Sequence, residues 1–264
     1  MLFSKEPEHL RELAAKAAGD GATLVVAVGG DGTVNEVAQG IVGSEVELAV
    51  IPRGTGLDFI RTFGIPRKLD DAVGVALHGS TRAIDAGRAD YRAWSGEQAE
   101  AWFFNVAGAG ISGAVAKRTN ESSKAFGGKA SYLWSTLAVF SRWDNAEMTV
   151  TVDDERRRGP MLEVVVANGR YLGGGMKMCP EAIPDDGLFD VLLIGDVTKG
   201  DLVRTLPKIY RGTHLPHPRA ELLRGRTVTV EPTEPMPVQL DGEQPGTTPV
   251  RFELVPQALR LRVP

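Results

Sequence analysis

Val28-Gly29-Gly30-Asp31-Gly32-Thr33-Val34-Asn35-Glu36-Val37 stands between two patterned segments, and its reading decides the fold. Before it runs Thr23-Leu24-Val25-Val26-Ala27-Val28, a β-branched apolar stretch that reads as a strand buried on both faces. After it Val34, Val37, Ala38 and Ile41 recur at helical spacing, and Thr33 with Glu36 matches the T-x-x-E capping box. A strand, a glycine turn and a helix N-terminus thus follow one another directly. Such a turn leaves backbone N–H groups beside the positive end of a helix, where phosphate binds readily. Glycines after a strand also serve purely steric turning, so Asp31 is the informative residue. A carboxylate inside an anion-binding turn is unfavourable unless a cation lies between it and the phosphate, which implies Mg²⁺.

A second turn of the same kind follows. Val46-Glu47-Leu48-Ala49-Val50-Ile51 reads as a buried strand and runs into Pro52-Arg53-Gly54-Thr55-Gly56-Leu57-Asp58-Phe59. Turns after successive parallel strands open on the same carboxyl edge of the sheet, where α/β proteins bind ligands. Asp31 and Asp58 are therefore expected near one nucleotide.

The run GGDGTVNEV resembles the nucleotide-binding motif of the diacylglycerol kinase catalytic domain family of lipid kinases. Its GGDGT core is shared with the NAD kinases and phosphofructokinases. Residues 52–59 resemble the P-x-G-T-x-N-D-F segment of the lipid kinases, with Leu57 where Asn is usual. The family normally begins with a further strand and an Asn-Pro-x-x-Gly loop, neither of which occurs before the first helix of this sequence. That helix is marked by Leu10, Leu13, Ala14 and Ala17, with Ser4 as a cap and Pro7 in the first turn.

Leu69, Ala72, Val73, Ala76 and Leu77 predict one more amphipathic helix, and near Thr81 the pattern changes. Short strand-like segments follow at Arg82–Tyr91, Ala101–Ala107, Glu147–Asp153, Leu162–Ala167, Leu188–Gly195, Arg226–Glu231, Pro237–Leu240 and Val250–Leu254. Many short strands bounded by Gly, Pro and Asp read as an antiparallel sandwich. The expected fold is an α/β N-terminal domain over 1–82, with a parallel sheet like that of NAD kinases and phosphofructokinases, and an antiparallel β-sandwich over 83–253. The resemblance implies that the tail, 254–264, returns to the first domain. Two helices interrupt the sandwich, at about Lys129–Trp143 and Lys199–Gly212. The second is amphipathic and basic: its charges are either solvated while it packs on the sandwich or laid on anionic lipid, and Pro207 is a candidate kink.

Two motifs in the sandwich carry chemistry. Gly173-Gly174-Gly175-Met176, followed by Pro180-Glu181-Ala182-Ile183-Pro184-Asp185-Asp186-Gly187, matches a lipid-kinase stretch that holds a structural Mg²⁺. The resemblance implies Asp186 as ligand with the carbonyls of Ile183 and Leu188, and Asp185 either beside it or facing the catalytic metal. Read without the family, Asp-Asp-Gly is a hairpin turn. Gln239-Leu240-Asp241-Gly242-Glu243 contains a D-G turn that needs no function, but in the family the D-G-E glutamate is the proposed general base, which points to Glu243.

Composition narrows the classes further. The chain has 264 residues with 42% hydrophobic and 24% charged residues, ordinary for a globular protein, and a net charge of −4 that gives no reason to expect nucleic acid. A lone cysteine, Cys179, excludes an internal disulfide and fits a reducing compartment. His9, His78, His214 and His217 show no metal spacing. No apolar run reaches the roughly 20 residues of a membrane span, and no signal peptide opens the sequence. The resemblance then implies a cytoplasmic, ATP- and Mg²⁺-dependent lipid kinase that meets its lipid peripherally at the inner membrane surface, most simply phosphorylating diacylglycerol. Gly29, Gly30, Asp31, Gly32, Thr33, Glu36 and Thr55 would hold the nucleotide phosphates, Asp31 and Asp58 the Mg²⁺, and Glu243 would take the proton of the lipid hydroxyl. An NAD kinase and a non-catalytic nucleotide- or lipid-binding relic are the alternatives, and the oligomeric state, a homodimer included, is open.

Overall fold

The computed structural model describes residues 3, 9–121, 136 and 138–264. Ser4, Pro7 and most of the helix expected at 129–143 lie outside the described residues. The α/β half comprises α1 (His9–Gly19), β1 (Leu24–Gly29), α2 (Asp31–Ile41), β2 (Glu47–Pro52), α3 (Asp58–Phe63) and α4 (Leu69–His78). β1 and β2 pair in parallel, from Leu24 opposite Glu47 to Gly29 opposite Pro52. A parallel pair needs a crossover, which α2 supplies. The stripe Val34, Val37, Ala38 and Ile41 is buried, packed with Ala14 of α1 and with Leu48 and Val50 of β2. On the opposite face α4 covers Ala49 and Ile51 with Ala72 and Ala76.

Two local expectations are overturned here. β1 is an edge strand, and Val26 and Val28 are 44% and 58% exposed. Both point to the α4 face, where α4 covers β2 but stops short of them, so β1 is not buried on both sides. The Thr33–Glu36 capping box does not form either. α2 opens three residues earlier, with Gly30 as an extended N-cap and no side-chain cap. Glu36 Oε2 is buried without a hydrogen-bond partner.

The antiparallel half contains β3 (Ser80–Ala93), β4 (Gln98–Phe103), β5 (Val106–Gly110), α5 (Ile111–Glu121), β6 (Ala146–Val152) and β7 (Glu155–Ala167). It continues with β8 (Tyr171–Leu172), β9 (Met176–Lys177), β10 (Phe189–Gly195), α6 (Lys199–Arg211), β11 (Ala220–Gly225), β12 (Thr227–Pro232), β13 (Pro237–Leu240) and β14 (Glu243–Val263). β6, β7, β10, β11 and β12 pair antiparallel with their neighbours, as do β3 with β4 and β5 with β7 and β13. Phe103 stacks on Phe189 at 5.5 Å and meets Phe252 edge-on at 5.8 Å, so one aromatic knot joins β4, β10 and β14. Cys179 is buried, and that burial pushes its thiol well above the ordinary range.

β14 ties the halves together. Its first part pairs with β13 and β12, it runs beside β3 along most of its length, and Arg260 and Leu261 lie parallel to Glu47 and Leu48 of β2. The expected strand at 101–107 is in fact two, β4 and β5, broken at Phe104–Asn105. α6 begins at a capping box between Thr198 and Asp201 and continues through Pro207; it buries Ile209 and packs Leu206 and Tyr210 on the sandwich, while Val203 faces solvent. Among the described residues no helix is long and apolar enough to cross a membrane.

Candidate active site

The two glycine turns are pressed together at the carboxyl ends of β1 and β2. Arg53 donates its N–H to the Gly29 carbonyl at 2.7 Å. A Cβ on Gly54 would stand 2.7 Å from the Gly30 Cα, and one on Gly56 would stand 2.6 Å from an Asp31 carboxylate oxygen. Only glycine permits this approach. Asp31 Oδ1 accepts the Phe59 N–H at 3.0 Å, so the first turn caps the helix that follows the second. Leu57, where the resemblance leads one to expect Asn, adopts φ 60° and ψ 37°. That left-handed conformation is one Asn tolerates and Leu adopts at a cost of roughly 1–2 kcal/mol. The Leu57 side chain is 4% exposed in the α/β core, and its burial offsets the strain.

Asp58 opens α3 and is 6% exposed. Its Oδ2 accepts the Gly174 N–H at 2.6 Å and its Oδ1 pairs with Arg61. The Gly173–Gly175 run of the antiparallel half is thus bonded to the second glycine turn. Burial pushes the Asp58 carboxyl up to about 6, the Asp31 charge adds to the rise, and the Gly174 and Arg61 bonds oppose it.

These groups open into one cleft of about 470 Å³ between the halves. Gly30, Asp31, Gly32, Thr33, Thr55 and Asp58 line it from the α/β side, with Ser112, Gly173, Gly174, Asp241 and Glu243 from the antiparallel side. The three acids at 31, 58 and 243 therefore share one wall system. Gly29 and Glu36 do not line it: Gly29 ends β1 behind Thr33, and Glu36 lies a turn further along α2.

Asp241 is the residue that sequence reasoning passed over as an ordinary turn. Its Oδ1 accepts the N–H groups of Asn105 at 3.0 Å and Val106 at 2.9 Å; its Oδ2 accepts those of Phe104 at 2.8 Å and the Asn35 side-chain amide at 2.9 Å. Burial pushes this carboxyl up against four bonds that favour its charge. The break between β4 and β5 exists because those three N–H groups turn to Asp241. Asn35 sits inside the GGDGTVNEV run, so its bond ties the first glycine turn to the turn that presents Glu243. Removing that donor by Asn35→Ala is expected to lower unfolding stability by about 1–3 kcal/mol, read by thermal denaturation.

The Asp185–Asp186–Gly187 turn stands apart from the cleft. Asp185 is held by the Arg82 guanidinium, which keeps its carboxyl below the usual range, and Asp186 is paired with Arg224 and accepts the Leu188 N–H at 3.1 Å. Ile183 is exposed. Among the described residues no group of three or more His, Cys, Asp or Glu is arranged to hold a metal ion. Both carboxylates are paired with arginine, and neither lines the cleft.

The α/β half with its glycine turns, joined to an antiparallel sandwich, matches the fold of the crystal structure of a diacylglycerol kinase from Bacillus anthracis at a TM-score of 0.74 and 21% identity, over the whole chain and 84% of that protein. Residues 1–89 match the diacylglycerol kinase catalytic domain, and residues 105–263 match the YegS C-terminal NAD kinase beta sandwich-like domain. A protein named probable lipid kinase YegS-like from Pseudomonas aeruginosa is 35% identical over 98% of this chain and 82% of its own length. The protein named diacylglycerol kinase from Mycobacterium tuberculosis is 32% identical over 96% of this chain and 81% of its own. The chain belongs to the YegS-like lipid kinase family, built on the diacylglycerol kinase catalytic domain.

Proposed function

We propose that this chain transfers the γ-phosphoryl group of ATP to a lipid hydroxyl, with diacylglycerol as acceptor and phosphatidic acid as product. The observation that carries the reading is the convergence of Asp31, Asp58 and Glu243 with both glycine turns on one cleft. The N–H groups of residues 30–33 and 54–55 would cradle the phosphates at the N-termini of α2 and α3. Glu243, exposed in the cleft mouth, would accept the proton of the attacking hydroxyl. The lipid would be drawn from a membrane surface by peripheral contact.

Mg²⁺ fits the acidic pair once Arg61 yields Asp58 Oδ1. Asp31 and Asp58 are close enough for one charge to raise the other's proton affinity, and hard carboxylate oxygens next to a phosphate site suit this ion, which completes its shell with water and substrate. Bound there, Mg²⁺ would neutralise charge on the transferring group. A second cation at the Asp186 turn, with the Ile183 and Leu188 carbonyls, requires Arg224 to leave that carboxylate, and no step is assigned to it.

The pH dependence follows from Asp58. Its carboxyl is neutral below about 6 and charged above, and only the charged form attracts a cation. Transfer is therefore expected to fall as pH drops through the region just below 6, since a bound cation pulls the midpoint down. A rate profile unchanged to pH 5 would contradict this role. The function itself is tested with ³²P-labelled ATP offered diacylglycerol in mixed micelles and, separately, NAD. Label in extractable phosphatidic acid supports the lipid reading; label in NADP alone, or in neither, overturns it.

A further inference from the structure

Glu163 interrupts the apolar run of β7, Leu162-Glu163-Val164-Val165-Val166-Ala167, and is 2% exposed. A carboxylate buried in a strand is costly unless it is bonded. Both of its oxygens go to one residue: Oε2 accepts the Ser112 N–H and Oε1 the Ser112 hydroxyl, each at 2.7 Å. Room for the carboxylate is made by β5. A Cβ on Gly108 would lie 2.4 Å from Oε1, and one on Gly110 3.0 Å from Oε2. The cradle is therefore built from two glycines, one strand acid and the first turn of α5.

Ser112 lines the cleft opposite the glycine turns. A serine hydroxyl has one proton, and here Glu163 takes it. With that proton committed, only lone pairs remain on the oxygen, so toward a ligand in the cleft the side chain can only accept. We propose that Glu163 is a positioning residue that fixes Ser112 as a hydrogen-bond acceptor for a ligand hydroxyl, drawn either from the lipid headgroup or from the ribose of the nucleotide. This rests on the phosphotransfer reading above, and names a contact which that reading leaves unassigned.

The pair also has a polarity switch. Burial pushes the Glu163 carboxyl up to about 7, against its two bonds to Ser112. Gly110 of β5 and Ile194 of β10 lie opposite it in the sheet, Gly108 and Ser112 abut its carboxylate, and none of these four is ionisable. Once protonated, Glu163 donates to Ser112 Oγ, whose own proton then turns to the cleft. As pH falls through about 7, Ser112 thus changes from a side chain that only accepts in the cleft to one that also donates there and keeps a single lone pair for a ligand hydroxyl.

Ser112→Ala, Ser112→Thr and Glu163→Gln are compared with wild type by steady-state kinetics, by ATP calorimetry, and by cosedimentation with vesicles containing diacylglycerol. Ser112→Ala and Glu163→Gln are expected to weaken one substrate about three- to tenfold in KM and in direct binding, with kcat much less affected. Ser112→Thr restores it, and Glu163→Gln abolishes the wild-type change in KM between pH 6 and 8. A loss confined to diacylglycerol assigns the headgroup, and one confined to ATP assigns the ribose. Unchanged constants for both substrates in Ser112→Ala, with only a lowered melting temperature, would make the pair a mere helix cap and overturn the inference. If wild type phosphorylates no lipid, the kinase reading fails, and the two binding measurements alone decide the role of Ser112 by the same criterion.

Discussion

Glu243→Gln is expected to lower phosphoryl transfer by about 10²- to 10⁴-fold while ATP binding stays largely intact. Glu243 is the first residue of β14 and enters the cleft from the antiparallel half, away from both glycine turns. Glutamine keeps its length and its hydrogen-bonding shape but cannot accept a proton at neutral pH. The Asp241 clamp is untouched by this change, so the loss reads on chemistry and not on folding. Glu243→Ala should behave alike in kcat, and turnover near wild type in either variant would remove Glu243 from the role of base.

Asp31 carries the second large effect. Asp31→Ala is expected to weaken Mg²⁺-dependent ATP binding about 100-fold, measured by titration calorimetry. Asp31 also accepts the Phe59 N–H, so alanine removes a helix contact along with the charge. Asp31→Asn separates the two, because the amide oxygen still accepts that bond. If Asn binds Mg-ATP as wild type does, the carboxylate has no part in holding the cation. If Asn fails as Ala does, the charge is what matters. The same variant should bring the Asp58 carboxyl down, since one of the causes raising it is gone.

The residues that build the cleft were readable wherever the signal was local. A glycine turn between an apolar strand and a helix is written in about ten consecutive residues, and both such turns lie where that pattern puts them. What escaped depends on partners far along the chain. Nothing near Phe104 and Asn105 shows that their N–H groups will serve an acid some 137 residues later, so 101–107 read as one strand. Val26 and Val28 read as doubly buried because β-branched runs usually are, yet burial depends on what covers the sheet. The α2 cap was misplaced because Thr33 and Glu36 fit a local rule, whereas the extended Gly30, pressed against Gly54, sets the actual start. Glu163 did leave a mark, a charge among valines, and its meaning needed the two glycines of β5.

β14 carries Glu243 at one end and, nearly its whole length later, lies against β2 beside the strand that launches the first glycine turn. Its long ladder with β3 runs through both cores, with register shifts between Thr247 and Arg251 and between Val255 and Leu259. A clamshell movement of the two halves would have to bend or shear this shared ladder, most easily at those two irregularities. On the phosphotransfer reading, one strand then couples the placement of Glu243 to that of the strand pair that launches the glycine turns.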